Sequence, residues 1–184
     1  IRDRMGLRTT VKQIKGLRDS MLRDHFRFQS YPMSSANLSQ IRADIEELEY
    51  TDNFIPDIIV IDYPDILAPE DSRMIGRERI DETWRTLKNL ASIHHCLVVV
   101  ASQTNRGSFD KRNVTQIDAA EDIRKFAHVD AAIALNQLPN EKRDSIIRVA
   151  LIAERDGEFD QYKSCLVLQQ LELGQTCLDS ELIK

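Results

Sequence analysis

Two short apolar runs with a helical pattern between them constrain the fold of this chain more than any other feature. Residues 58–61 and 97–100 are four aliphatic side chains each, nearly all of them β-branched. Runs of this length and composition are typical of strands buried on both faces of a parallel sheet. Between them, apolar side chains recur at helical spacing, at Ile80, Trp84, Leu87 and Ala91. The order strand, helix, strand predicts a crossover unit with parallel strands.

The residues that follow the two strands are polar and differ in charge. Asp62 and Tyr63 follow the first strand, and Gln103 closely follows the second. The carboxyl ends of parallel strands meet at one edge of the sheet, where α/β proteins bind ligands. A carboxylate at this edge can hold Mg²⁺ against nucleotide phosphates, and a neutral amide can donate to a terminal phosphate that a second carboxylate would repel. On composition alone, Gln103 equally suits the start of a surface loop, and strands ending in aspartate occur in several other α/β folds.

Three motifs occur in the order found in DnaB-like replicative helicases, whose motor core is of the RecA type. They are Ile61-Asp62-Tyr63, Lys88-Asn89-Leu90-Ala91 and Ala101-Ser102-Gln103-Thr104-Asn105-Arg106. The chain resembles this family over residues 30–170, because a basic loop, a short helix and a further strand follow in the same order. The resemblance implies an α/β fold with a RecA-like, mainly parallel sheet flanked by helices, ending in a C-terminal antiparallel β-hairpin.

The resemblance also implies a motor that uses ATP and Mg²⁺, with roles for four residues of the sheet edge. Asp62 would be the Walker B carboxylate that holds Mg²⁺, and Gln103 would sense the γ-phosphate. Tyr63 and Asp65 would contribute to the same nucleotide site. Asp65 departs from the usual family pattern, so it either assists in positioning metal or water or only turns the chain.

Two β-rich runs near the carboxyl terminus, residues 145–153 and 161–171, predict an antiparallel β-hairpin around Asp156-Gly157. In the family, this hairpin tip carries a lysine and an arginine, and the arginine reaches the γ-phosphate of a neighbouring subunit. Arg155 matches that arginine, so the resemblance implies a homo-oligomeric ring, such as a hexamer, with a nucleotide site shared between subunits. The lysine has no match and Glu154 adds negative charge, so a solvated turn residue is the alternative interpretation of Arg155.

The loop after the second strand is the candidate nucleic-acid contact. A net charge of −5 excludes a protein that binds nucleic acid over its whole surface, but it permits a local basic track. In the family, this loop grips single-stranded DNA. Here it carries three cations and an aromatic ring that can stack on a base, namely Arg106, Lys111, Arg112 and Phe109. A solvated surface loop is the alternative.

The sequence contains no glycine-rich phosphate-binding loop, which the family requires. Such a loop places glycines before Lys-Ser or Lys-Thr at a helix start, and none of the six glycines has that spacing. We therefore expect residues 1–184 to form one partial RecA-like ATPase domain, from the Walker B strand onward. This chain alone is expected not to hydrolyse ATP.

The preferred interpretation is the C-terminal part of an ATP-dependent DNA helicase or translocase that acts in the cytoplasm. One alternative is a non-catalytic RecA-fold module that binds DNA or mediates assembly. Another is a receiver-like domain with Asp62 and Asp65 in an acidic pocket, which the predicted hairpin disfavours. No apolar run is long enough to span a membrane, and the three scattered cysteines suit buried thiols in a reducing compartment. Divergence from the family pattern suggests a phage or mobile-element source.

The amino-terminal third carries three weaker patterns. Residues 10–25 have the apolar spacing of a helix, and residues 26–31 alternate like a short strand. Ser34 or Ser35 can cap a following helix whose inward residues would be Leu38, Ile41, Ile45 and Leu48.

Overall fold

The computed structural model describes residues 25–103, 124–157, 160 and 163–183. The described residues fall into two compact units, one formed by residues 25–57 and 66–70 and the other by residues 58–65 and 71–183. Nearly all of the helix predicted over residues 10–25 lies outside the described part of the chain.

The first unit is built on helix α1, Leu38–Asp52. Asn37, rather than either predicted serine, caps it, because the Asn37 side-chain oxygen accepts from the Gln40 amide at 2.9 Å. The helix ends at Asn53, whose φ of 52° is the left-handed conformation that asparagine tolerates. The predicted inward face is confirmed, with Leu38 and Ile41 buried and the two later apolar residues half-buried.

The strand predicted over residues 26–31 is wrong, because this segment pairs with no strand of the described residues. Its alternating side chains instead make contacts within the first unit. The Arg27 guanidinium lies 4.5 Å from the Phe54 ring centroid, and the Tyr31 hydroxyl donates to Asp44. Burial, together with this hydrogen bond, raises the pKa of Tyr31 well above its ordinary value.

The second unit contains the predicted crossover. Strands β1, Ile58–Ile61, and β2, Leu97–Val100, pair in parallel and in register. Helix α2, Gly76–His94, connects them and buries its apolar stripe at Trp84, Leu87 and Leu90. The prediction that both faces of these strands are buried is wrong for this chain. Alternate side chains stay exposed on one face, at Ile58, Val60, Leu97 and Val99, with Val60 70% exposed.

A four-stranded antiparallel sheet follows helix α3, Arg124–His128, and has the order β3-β4-β5-β6. Its strands are β3, Ala131–Asn136; β4, Ile146–Glu154; β5, Ser164–Gln170; and β6, Gln175–Ile183. The predicted α/β class and the β4–β5 hairpin are confirmed. Of the predicted, mainly parallel sheet, the described strands contain one parallel pair. The other four described strands form a separate antiparallel sheet. The sequence did not predict β6, whose side chains are almost all exposed.

One face of the antiparallel sheet is packed and the other is open. The short helix α4, Pro139–Arg143, lies against β4, and the packed face buries Ala134, Asn136, Arg148, Ala150 and Ser164. The open face carries exposed apolar side chains, among them Ile133 and Leu135 on β3 and Leu182 on β6. An apolar face of this kind is typical of a surface that packs against further protein.

Two further expectations concern the burial of the cysteine thiols and the absence of a membrane span. Cys96, Cys165 and Cys177 are free thiols, but none is fully buried and Cys177 is exposed, so the prediction of buried thiols is wrong for that residue. Among the described helices, none has both the length and the apolar character that crossing a membrane requires.

Candidate functional site at the carboxyl edge of the parallel strands

Asp62 and Gln103 lie at the same edge of the parallel pair. The Ala101 amide donates to the Ile61 carbonyl at 3.3 Å, which carries the pairing one residue past the end of β2. Asp62 then follows β1 directly, and Gln103 follows β2 after two residues; both are exposed. Tyr63 is half-buried, and its peptide bond with Asp62 is cis. The parallel crossover thus brings to one edge two side chains that are far apart in sequence.

Asp65, the second carboxylate of this edge, is bound by a lysine. Its two carboxylate oxygens accept from the Lys125 ammonium at 2.9 and 3.0 Å. The same ammonium donates to the Ser102 hydroxyl at 2.9 Å, and that hydroxyl lies 3.4 Å from Asp65 Oδ2. The three side chains form a closed network that joins the loop after β1, the segment after β2 and helix α3.

Two residues of helix α2, Arg79 and Trp84, contact this network. The Arg79 guanidinium donates to the Asp65 backbone carbonyl at 2.9 Å. The ring of the buried Trp84 lies 5.4 Å from the Lys125 ammonium, a distance at which the aromatic face attracts a cation. The Lys125 side chain is only 12% exposed, so its ion pair with Asp65 is shielded from water on most sides.

Sequence reasoning missed Lys125, and no local signal could have found it. The residue stands in a charged run beside Arg124, where a solvated lysine is the ordinary expectation. Its partner Asp65 is 60 residues earlier in the chain. Only the tertiary structure brings the two together.

Arg155 lies at the end of β4, where the sequence placed it at the hairpin tip. Its guanidinium donates to the Ala127 carbonyl at 2.6 Å, and its backbone amide donates to the Asp130 carbonyl at 2.9 Å. Ala127 lies in the last turn of α3, whose carbonyls have no partner within the helix. A guanidinium carries five N–H donors, so Arg155 can bind this carbonyl and still donate to another group.

The remaining predicted contacts are not described. Arg106, Phe109, Lys111 and Arg112 lie in residues 104–123, outside the described part of the chain. Over the residues that are described, no group of three or more histidine, cysteine or acidic side chains is placed to hold a metal ion. A metal at this edge would therefore need ligands that a bound molecule or other residues supply.

The donor set of the edge fits a magnesium ion that is bound together with a nucleotide. Mg²⁺ is usually held by one or two carboxylates, with water and phosphate oxygens completing its shell. Asp62 is exposed and can supply one carboxylate, whereas both oxygens of Asp65 are engaged by Lys125. Of the two carboxylates, Asp62 is therefore the better metal ligand.

No protein-family model matches this sequence, and no curated protein matches it. Solved structures, in contrast, match its fold. The ATPase domain of a helicase superimposes with a TM-score of 0.66 at 19% sequence identity, over 78% of this chain and 52% of that one. A DnaB-like replicative helicase, described with its interactions with primase, gives a TM-score of 0.62 at 19% identity, over 73% of this chain and 34% of that one. The fold is that of a DnaB-like helicase core.

This finding confirms the resemblance that the ordered motifs suggested. The chain spans about half of the first structure, the ATPase domain, and about a third of the DnaB-like helicase. At 19% identity the likeness to these helicase structures shows the fold alone, and the activity of the chain is a separate question. The phage or mobile-element source stays a prediction, since fold similarity does not bear on it.

Proposed function

We propose that this chain is the C-terminal part of an ATP-dependent DNA helicase or translocase motor of the DnaB/RecA-like class. The observation that carries the proposal is the placement of the Asp62 carboxylate and the Gln103 amide at one carboxyl edge of a DnaB-like fold. Ligands bind outside this edge in α/β proteins. An acidic side chain and a neutral amide on neighbouring strands suit a metal-bound phosphate better than two carboxylates would.

Each residue of the edge then has a role. Asp62 holds Mg²⁺, which when bound offsets negative charge on the phosphates. Gln103 donates its amide hydrogen to the terminal phosphate, and the half-buried Tyr63 lines the nucleotide site. Asp65 contributes by holding Lys125, and Arg155 donates to the nucleotide of a neighbouring subunit.

We further propose that residues 1–184 are one partial RecA-like domain. The exposed apolar face of β1 and β2 supports this, because such a face is stable in water only when other elements cover it. The complete motor would supply a phosphate-binding loop from elsewhere in the protein, since the sequence here contains none. The motor would be cytoplasmic, form a homo-oligomeric ring such as a hexamer, and act on single-stranded DNA.

The Walker B assignment is tested in the complete protein by replacing the Asp62 carboxylate with an amide. Asp62→Asn should lower ATP hydrolysis at least about 100-fold and leave nucleotide affinity nearly unchanged, because the amide keeps the shape but loses the charge. Gln103→Ala should retain basal hydrolysis but lose most of its stimulation by DNA. Asp57→Asn is the matched control, since Asp57 is an exposed aspartate at the amino end of the same strand. If Asp62→Asn hydrolyses ATP at the wild-type rate, the assignment is wrong.

The partial-domain proposal is tested on this chain by calorimetric titration with ATP and Mg²⁺. Without a phosphate-binding loop, affinity should be about millimolar or weaker, and ATPase activity should not exceed background. Micromolar binding by this chain would contradict the proposal. Tight DNA binding with no hydrolysis by the complete protein would instead favour the non-catalytic module.

The DNA contact is tested with Lys111→Ala/Arg112→Ala in the complete protein. Loss of two cations should weaken single-stranded DNA binding and reduce the salt slope by up to about 1.4, because each phosphate contact contributes about 0.7 on single strands. Base preference should not change, since phosphate contacts carry no sequence information. Lys142→Ala/Arg143→Ala removes an exposed pair of the same composition from α4 and serves as the control. An unchanged slope in the first variant would identify the loop as a solvated surface.

A further inference from the structure

Helix α3 and the residues just after it are held between helix α2 and the end of β4. Helix α2 presents Asp81, Trp84 and Lys88 on one face, because residues three or four apart lie one above the other. These three contact three residues of the next segment. His128 Nε2 lies 3.0 Å from Asp81, the Lys125 ammonium lies over the Trp84 ring, and Lys88 pairs with Asp130.

The same segment also contacts Arg155, through two of its backbone carbonyls. The Ala127 carbonyl accepts from the Arg155 guanidinium, and the Asp130 carbonyl accepts from the Arg155 amide. Both the side chain and the backbone of Arg155 are thereby fixed to residues within five positions of Lys125. Ala127 lies two residues after Lys125 in the same helix, so a displacement of the helix at Lys125 moves the Ala127 carbonyl as well.

Lys125 uses all three of its N–H donors on the sheet edge. Two go to Asp65 and one goes to Ser102, which precedes Gln103 directly. Separating Lys125 from Asp65 would leave a largely buried charge without its partner, a change that is unfavourable. The loop after β1, the segment after β2 and the ammonium of Lys125 should therefore move together.

We propose that helix α3 links the nucleotide edge to Arg155, with Lys125 as the positioning residue that fastens the helix to that edge. The link rests on the proposed function, in which Asp62 and Gln103 bind the subunit's own nucleotide and Arg155 serves the neighbour's. A displacement of Ser102 and Asp65 is transmitted through Lys125 and the Ala127 carbonyl to the Arg155 guanidinium. The arrangement couples consecutive nucleotide sites through residues of a single subunit.

The physical link is tested in the complete protein by measuring hydrogen exchange of the Arg155 amide. Lys125→Met should raise its exchange rate about 10-fold, because the helix whose Ala127 carbonyl holds the Arg155 guanidinium is no longer fastened to the sheet edge, and the end of β4 opens more often. Lys125→Arg keeps the charge and should restore most of the protection. Lys142→Met, an exposed lysine on α4, is the control and should leave the rate unchanged.

Protection of the β5–β6 amides shows in each case that the variant is folded. If Lys125→Met does not fold, Ser102→Ala removes a single acceptor and should raise the same exchange rate by a smaller factor. If Lys125→Met folds and the Arg155 amide exchanges at the wild-type rate, the link is overturned. If only Ser102→Ala folds, an unchanged rate in that variant overturns it. Either result holds whatever the function of the chain.

The consequence for activity is tested in the complete protein. Lys125→Met should lower kcat about 10- to 100-fold with KM for ATP nearly unchanged, since it misplaces groups without removing a nucleotide ligand. If Lys125 acts in part through Arg155, the combined loss in the double variant Lys125→Met/Arg155→Ala should be smaller than the product of the two single losses. Additive losses would overturn the coupling. Wild-type hydrolysis by Asp62→Asn would instead refute the proposed function and leave the exchange result standing.

Discussion

Two ion pairs in the second unit have similar chemistry but different surroundings. Arg148 on β4 pairs with Glu141 on α4, seven residues earlier, and their side chains are 5% and 11% exposed. Lys125 pairs with Asp65 across 60 residues, and their side chains are 12% and 27% exposed. The first pair lies on the packed face of a sheet, and the second lies at the carboxyl edge of the parallel strands, the proposed nucleotide site.

The difference separates a pair that holds a local element from a pair that holds a site. Arg148 and Glu141 fasten a five-residue helix to the strand that follows it, and the Glu141 carboxylate also accepts from the Leu138 amide at the start of that helix. Lys125, through Asp65 and Ser102, fastens together helix α3, the loop after β1 and the segment after β2. We therefore expect Arg148 variants to affect stability most, and changes at the edge to affect activity more than stability.

The largest stability effect is expected from Arg148→Met. The variant leaves the Glu141 carboxylate buried without its cation and should lower the free energy of unfolding by about 3–5 kcal/mol. Denaturant titration measures this, with Arg143→Met as the control, because Arg143 is an exposed arginine on α4, the helix that carries Glu141. A loss below about 1 kcal/mol would mean that the buried pair contributes no more than a surface pair.

A smaller loss is expected at the edge from Asp65→Asn. The amide cannot balance the Lys125 charge, but water reaches part of the pair, so the free energy of unfolding should fall by about 1–2 kcal/mol. Asp62→Asn, three residues earlier and exposed, should change it by less than about 0.5 kcal/mol. Equal losses in the two variants would remove the distinction between the bound carboxylate and the open one.

The smallest effect is expected in the first unit, at the hydrogen bond from Tyr31 to Asp44. Because the pKa of Tyr31 is raised in the folded state, its contribution is complete below the unfolded value of about 10 and is lost as pH rises from there toward the folded value. Tyr31→Phe should reduce the free energy of unfolding at neutral pH by about 1 kcal/mol and flatten its fall above pH 10. Tyr50→Phe is the control, since Tyr50 is 92% exposed. If the free energy of unfolding of Tyr31→Phe still falls steeply above pH 10, groups other than Tyr31 cause the fall.

The elements with strong local patterns were predictable from the sequence. The two β-branched runs and the helical stripe between them specified β1, α2 and β2, because burial of apolar side chains with the right period leaves few other arrangements. Their order fixed the parallel pairing, and with it the placement of Asp62 and Gln103 at one edge. The two β-rich runs on either side of the Asp-Gly pair likewise predicted the β4–β5 hairpin.

Predictions failed where a partner decides the structure. Residues 26–31 alternate like a strand but have no neighbour to pair with among the described strands, and β6 lacks an apolar pattern but pairs with β5 along its length. The prediction that β1 and β2 are buried on both faces was wrong. Their apolar composition permits burial on both faces, but no described element of this chain covers the second face. Each of these properties belongs to a pair of elements and not to one of them.

The sequence by itself determined the crossover, the hairpin and the edge at which Asp62 and Gln103 lie, since these follow from local periodicity and from the handedness of a short connection. Only the tertiary structure decided that Lys125 holds Asp65 and Ser102, and that Arg155 rests on the end of the same helix. An ion pair between residues 60 positions apart leaves no mark on the residues around either partner. Its strength depends on burial and distance, which exist only once the chain has folded.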